Sequence, residues 1–255
     1  EIGLAQPVEY PEAERRTIAT HEAGHATVVW LVGKSRKLEV LSIIKRRDAL
    51  GLLAHSEIEE RFTKSQSEIT SLIEIAFGGM VAEELFFGET SSGVAGDLQA
   101  ATTAAAQMVG TFGMAGSLIS YEAVGTPGGA NTVAKVISTD EGKEAVEGIL
   151  DGARAAVRAT LSEHRHVVEA LRDALLAREE LIGEEITDVI VSAARVTPEE
   201  TATEGVIDLR DEPAGPAGVA TWPDPVLAEV ARTVLRDLAL DAAGATELDP
   251  VPDVS

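Results

Sequence analysis

His21 and His25 stand four residues apart, with Glu22 directly after the first of them, in the run His21-Glu22-Ala23-Gly24-His25. In a helix, positions four apart share a face, so both imidazoles can close on one zinc ion, while Glu22 on the adjoining strip of surface meets a water activated by the metal. The chemistry this predicts is hydrolysis, with Glu22 as general base and no serine or cysteine nucleophile. The chain contains no cysteine at all. Two imidazoles leave a catalytic zinc one protein ligand short, because open sites take three protein ligands and keep the fourth position for water. The third must be His, Asp or Glu.

The other three histidines are poorly placed for that role. His55 ends an extended apolar stretch, and His164 and His166 lie in the charged run Glu163-His164-Arg165-His166, which reads as solvated helix surface. The carboxylates leave the choice open. Asp97 follows the turn and cap residues Ser91-Ser92-Gly93 and falls in the first turn or two of a small-residue helix running to Gly110 or Gly113, where an acid is also an ordinary partner of the helix dipole. Glu83 and Glu84, adjacent in Gly78-Gly79-Met80-Val81-Ala82-Glu83-Glu84, point in different directions on a helix, so one of them can face inward and the other cannot.

The elements that must position these groups are legible around them. Ile18, His21, His25, Val28, Val29 and Val32 recur at helical intervals behind the charged lead-in Glu12–Arg16; Thr17 or Thr20 is available as a cap, and Gly33 as a stop. Gly24, inside that helix, is worth about 1 kcal/mol less than alanine there, which implies a close approach by a neighbouring helix or by the metal site itself. Lys37–Ile44 and Leu50–Ala54 read as two strands joined by Lys45-Arg46-Arg47-Asp48. An edge at Leu50, Gly51, Leu52 and Leu53 beside a zinc helix would let an extended peptide add as a further strand; the same strands would equally serve to cover the first helix. Glu68–Phe87 is expected as a helix, and Ser138-Thr139-Asp140-Glu141 as a capping box before an amphipathic segment to about Glu180. Ile149, Ala153, Ala156, Leu161, Val168, Leu171 and Leu175 supply its core face. The glycine-rich stretch Val124–Asn131 reads as a loop, and no Gly-Lys-Ser/Thr follows it to cradle a nucleotide.

From Glu14 to about Ile190 the chain resembles the peptidase domain of the FtsH-type AAA-coupled zinc metalloproteases. The resemblance is carried by Glu14-Arg15-Arg16 before the HEAGH helix, Ala49-Leu50-Gly51, Gly78-Gly79 with Ala82-Glu83-Glu84, Gly88-Glu89, Thr90-Ser91-Ser92-Gly93, Asp97-Leu98 with Ala101-Thr102, Met108-Val109 and Phe112-Gly113-Met114, in the family's order. It implies that His21, His25 and Asp97 bind zinc, that Glu22 is the general base and that Glu83 supports the site. It further implies a six-membered ring of copies, fed with unfolded polypeptide by an AAA ATPase module. Three positions depart from the family: Gly96 replaces the usual polar residue before the Asp, Met80 stands where an Arg is common, and Leu52-Leu53-Ala54-His55 replaces aromatic and polar residues. None of these is a ligand, so the departures bear on substrate preference.

The fold class expected is mainly α (α+β), a helical zinc-peptidase domain with a small sheet beside the HEAGH helix. A net charge of −22, from 43 acids against 21 Lys and Arg, sets the chain against nucleic acid and anionic membrane surfaces as partners. The surplus acid is uneven: from Val196 onward there are 13 acids against Arg210, Arg232 and Arg236, together with seven of the ten prolines. The expected division is therefore a peptidase domain over 1–196 and an acidic, proline-rich extension over 197–255. In that extension Asp224-Pro225 can start an amphipathic helix at 226–241, with Leu227, Val230, Ala231, Val234 and Leu238 on one stripe. The sequence opens on Glu1, reads as a piece of a longer protein, and has neither a P-loop nor an apolar run long enough to span a membrane. A cysteine-free chain of this type suits a reducing compartment, cytoplasmic or matrix- or stroma-like. A ring scaffold or metal-bearing interaction domain without turnover is the competing class, against which the intact Glu22 argues.

Overall fold

The structure, a computed structural model, describes residues 6, 8–46, 49–123 and 131–195. The extension 197–255 with its candidate helix at 226–241, and the glycine-rich loop at 124–130, lie outside the described residues. Helix α1 (Glu12–Val32) starts at Pro11, whose ring holds φ at −54°, and Glu12 and Glu14 follow in the first turn, where carboxylates complement the helix dipole. No threonine caps it. Thr17 and Thr20 lie inside the helix, and their hydroxyls donate to the carbonyls of Ala13 and Arg16 at 3.1 and 2.8 Å. Gly33 ends it as expected.

Helix α2 (Gln66–Phe87) opens slightly before the expected Glu68. Ser65 accepts from the Glu68 amide, and the Glu68 carboxylate accepts from the Ser65 amide at 2.7 Å, a complete capping box. Gly88, with φ of 78°, closes the helix in the left-handed conformation. Helices α1 and α2 cross at glycine: a Cβ on Gly24 would overlap the Gly78 carbonyl and stand 2.6 Å from Ala82 Cβ, and one on Gly78 would stand 2.8 Å from His25 Cα. The close approach implied by Gly24 is thus a neighbouring helix, backbone against backbone.

Three strands cover one flank of α1. β1 (Arg36–Ser42) and β2 (Leu52–Glu57) are antiparallel, with Leu41 opposite Leu53, Leu38 opposite His55, and a bulge between Leu38 and Val40. β3 (Glu180–Ile182) pairs with the other side of β1, so the order is β2-β1-β3 and β2 is an edge. β2 begins later than expected and runs to Glu57. The three-residue β3 has no periodicity for a sequence to display; Arg46 pins it, pairing with Glu180 at 2.6 Å.

Helix α3 (Ala95–Gly110) follows a 3₁₀ turn at Ser92–Val94. After α4 (Thr132–Ile137), the long segment expected to Glu180 breaks at His164 into α5 (Asp140–Glu163) and α6 (Arg165–Arg178), and α7 (Glu184–Arg195) follows β3. Thr139 rather than Ser138 is the cap, accepting from the Gly142 amide at 3.1 Å. Ala153, Leu161, Val168, Leu171 and Leu175 are buried as expected and Ile149 is partly buried, but Ala156 faces solvent because Val157 takes the inward position beside it. Helix α1 is the hub, packed on α2, α5, α6 and β1 and buried from Ile18 to Val29 except at His21. Among the described residues, no helix is long and apolar enough to cross a membrane.

Candidate metal centre

One turn of α1 separates His21 from His25, and the α1–α2 crossing lets the two rings stand edge to face, 4.7 Å apart between centroids. Gly79 makes the room: a Cβ there would run into the His21 ring. The first turn of α3 brings up Asp97. His21 Nε2 and His25 Nε2 are 3.0 Å apart, and Asp97 Oδ2 lies 3.2 Å from the former and 3.3 Å from the latter. Among the described residues, no other trio of His, Asp or Glu side chains converges in this way.

The hydrogen bonds behind the rings fix which nitrogens face the trio. His21 Nδ1–H donates to Glu83 Oε1 at 2.7 Å, and His25 Nδ1–H donates to the Ile75 carbonyl at 2.7 Å. A neutral imidazole has a single N–H, so both Nε2 atoms present lone pairs to one another and to a carboxylate oxygen. Three acceptors packed together require a cation or a proton between them. Ligands about 2.0–2.2 Å from a tetrahedral zinc stand about 3.3–3.5 Å apart, close to the separations here, and the His₂-carboxylate donor set is one that zinc accepts. The residues therefore fit the ion.

Without a cation, the proton settles on His21. Burial opposes its charge, but hydrogen bonds to Asp97 and Glu83 and the nearby Glu22 outweigh that and raise its pKa to about 10. Burial alone would raise Asp97; the two imidazoles instead hold it well below the usual carboxylate range. Glu22 is 8% exposed, and burial pushes its carboxyl up despite the two histidines, which makes it a stronger base than an exposed carboxylate.

Of the paired acids, Glu83 faces inward and is 1% exposed, while Glu84 turns away to Arg154 and Arg158. Glu83 does more than meet His21. Its carboxylate also accepts from the amide and hydroxyl of Ser91, which ties α2 to the turn that launches α3 and so to Asp97. Burial works against its charge, and the His21 and Ser91 hydrogen bonds lower its pKa nonetheless. Ser91 was visible in sequence only as a turn residue, because its partner lies in another helix.

The trio opens into a cleft of about 590 Å³ lined on one side by Leu50, Gly51, Leu52 and Leu53 and on the other by Leu72, Ile75 and Ala76. The backbone at Gly51 comes so close to Glu22 that a Cβ would stand 2.5 Å from its Oε1. His55 is apart from the trio, as its sequence context indicated, yet it lines the same cleft, where Arg36 Nε–H donates to its Nδ1 at 2.7 Å. Burial and Arg36 push His55 down to about 4. His164 and His166 sit at the α5–α6 break, away from the cleft, stacked 6.3 Å apart.

Residues 8–189 match the family model of peptidase family M41. The chain is 35% identical over 184 residues to an ATP-dependent zinc metalloprotease FtsH of Chlorobium luteolum, covering 69% of this chain and 26% of that protein. It is 33% identical over 185 residues to the ATP-dependent zinc metalloprotease FtsH 3 of Conexibacter woesei, covering 71% and 25%. An FtsH of Cupriavidus metallidurans is 31% identical over 229 residues, covering 88% and 35%. The chain thus spans about a quarter to a third of the length of these relatives. Both the extent of the family match and the order of the shared motifs lead to one assignment: the chain belongs to peptidase family M41, as an FtsH-type peptidase domain.

Proposed function

We propose that the chain is a zinc metalloendopeptidase that hydrolyses unfolded or flexible polypeptide, with His21, His25 and Asp97 holding the metal and Glu22 serving as general base. The single observation that carries this is the convergence of two imidazole lone pairs and one carboxylate oxygen within 3.3 Å, beside a buried glutamate and at the foot of an open cleft. When bound, zinc supplies Lewis acidity, acidifying water and polarising a peptide carbonyl. The chain's own groups supply the rest. Glu22 accepts a proton from the attacking water and delivers it to the leaving amine; its raised pKa suits both halves of that transfer. Glu83 holds His21 by Nδ1–H, which keeps the Nε2 lone pair directed at the metal. The edge strand β2, entered through Leu50 and Gly51 and opening with Leu52 and Leu53, offers backbone hydrogen bonds to an extended substrate of loose sequence.

In the intact protein, an AAA ATPase module unfolds and delivers the substrate to a ring of six copies in a reducing compartment, cytoplasmic or matrix- or stroma-like, and the acidic extension 197–255 is an appendage to the peptidase body. The relatives' names, which couple ATP to a zinc metalloprotease, support the ATPase part of this reading.

Casein cleavage by the zinc-loaded chain, with and without chelator and with Glu22→Gln, is the test. Chelator-sensitive cleavage is expected, and Glu22→Gln is expected to keep stoichiometric zinc while losing about 10²–10⁴-fold in rate. Zinc bound without cleavage by the parent chain would instead make it a metal-bearing scaffold.

A further inference from the structure

Two residues apart on β2, Leu53 and His55 present their side chains on the same face, and both line the cleft, while Ser56 on the opposite face donates its hydroxyl to Glu39 at 2.8 Å. Opposite them, α2 contributes Leu72, Ile75 and Ala76. Ile75 is also the residue whose carbonyl holds His25, so this apolar end of the cleft adjoins the metal trio directly. His55 is the polar group in it.

Arg36 determines what His55 can offer. A guanidinium has no lone pair to give, so the 2.7 Å contact from Arg36 Nε–H makes His55 Nδ1 the acceptor and leaves the ring's proton on Nε2. Arg36 is itself fixed by Glu57 at 3.5 Å, and Glu57 by Lys64 at 2.9 Å. Among the described residues, His55 Nε2 has no protein partner.

We infer that His55 is a specificity-determining residue, its Nε2–H selecting substrates that place a glutamine side chain between Leu53 and the α2 wall of Leu72, Ile75 and Ala76. This rests on the peptidase reading of the cleft. A glutamine matches the site twice over, its methylenes against the aliphatic walls and its amide oxygen on the N–H. A leucine fills the walls and leaves the donor unpaired, the kind of mismatch by which polar sites reject apolar analogues. A glutamate reaches the donor as a fourth carboxylate in a cleft that already carries Glu22, Glu83 and Asp97, and the nearest guanidinium is engaged by Glu57. Glutamine is therefore preferred over both.

The experiment uses peptides of Gly, Ser and Ala with a single Gln, Leu or Glu, so that the varied residue is the sole anchor. The zinc-loaded chain is expected to cleave beside Gln with a kcat/KM about five- to tenfold above that for Leu, the worth of one neutral hydrogen bond. His55→Phe, which keeps a flat ring and removes the donor, is expected to erase that ratio. Arg36→Met, which leaves the ring in place and frees Nδ1, is expected to lower it. Binding of the same peptides to Glu22→Gln and to Glu22→Gln/His55→Phe, followed by fluorescence anisotropy, reads the preference without turnover. Cleavage abolished by Glu22→Gln but indifferent to Gln against Leu overturns the inference and leaves the peptidase reading standing. Gln-selective binding lost in the double variant, with no cleavage by the parent, does the reverse. Equal binding of the three peptides, or no binding of any, overturns the inference.

Discussion

Gly51 controls where the Glu22 carboxylate can stand. A methyl group there would lie 2.5 Å from Glu22 Oε1 and 2.7 Å from its Cγ, and the carboxylate, as the free end of a rotatable side chain, is what yields. Gly51→Ala is therefore expected to retain stoichiometric zinc while kcat falls about tenfold to a hundredfold, since a displacement of about 1 Å in a reacting group is worth up to ~10²-fold. Unchanged kcat at full metal occupancy would mean that Glu22 does not work from its present position. The proton on His21 gives a second expectation at this scale. With its pKa raised to about 10 in the metal-free cluster, His21 is charged at pH 7.5, so a zinc ion taking its Nε2 must displace that proton. Calorimetric titration in buffers of different protonation enthalpy should show release of about one proton per zinc. Release should shrink in Asp97→Ala, which removes the foremost of the groups raising that pKa. No release from the parent would show a neutral ring in the free protein.

At the scale of elements, the site exists because α1 and α2 touch backbone to backbone. Gly24→Ala raises helix propensity by about 1 kcal/mol, yet its methyl meets the Gly78 carbonyl and Ala82 Cβ, which cannot rotate away. Overpacking of this kind is worth about 1–3 kcal/mol or more, so net destabilisation is expected in urea unfolding of the zinc-free variant, with weakened zinc binding because Gly78 also abuts the backbone of His25. A neutral or stabilising result would mean that the crossing opens easily. This crossing also shows what sequence can and cannot disclose. The residue types at 21, 22 and 25 and their spacing are local, so hydrolytic zinc chemistry was legible from five residues, and Gly24 signalled a close contact. Which element made that contact was not, because Gly78 is distant in the chain. Asp97 was ambiguous for the same reason: in sequence it is a first-turn acid, and only the shared family pattern singled it out. Glu83 was likewise set apart from Glu84 by the family pattern alone, because helix geometry says only that one of two adjacent acids faces inward, and the rotation of α2 against α1 decides which. Strand β3 and the break at His164 went unread since neither leaves a periodic trace, and the threonine cap failed because Pro11 with Glu12 and Glu14 starts α1 well ahead of Thr17.

At the scale of the whole molecule, the metal joins helices that are otherwise held by small aliphatic contacts. The proposed ligands come from α1 and α3, and Glu83 of α2 links His21 to Ser91 at the entry to α3, so loading the site clamps three helices in a chain of net charge −22. A ligand present at about 100 times its Kd adds about 2.7 kcal/mol to stability, and for a body of this size that corresponds to roughly 5–10 °C in Tm. Chelation is expected to lower Tm by that order, and the gap should depend on pH in a definite direction. His21 has a raised pKa, so the stability its proton lends the metal-free cluster is complete below the ordinary histidine value of 6.5 and fades as pH climbs toward about 10. Asp97 and Glu83 have lowered pKa values, so their contribution holds above the ordinary carboxylate range and is lost as pH falls into the acid. Between pH 6 and 9 the metal-free chain therefore weakens while competition from the His21 proton declines, and the zinc-dependent gap in Tm widens. In acid the protons win and the gap closes. Asp97→Ala, lacking a ligand, should show little gap at any pH. Thermal scans of zinc-loaded and chelated protein across that range decide it: a gap that is flat with pH, or one retained in full by Asp97→Ala, would show that zinc is not held by this trio.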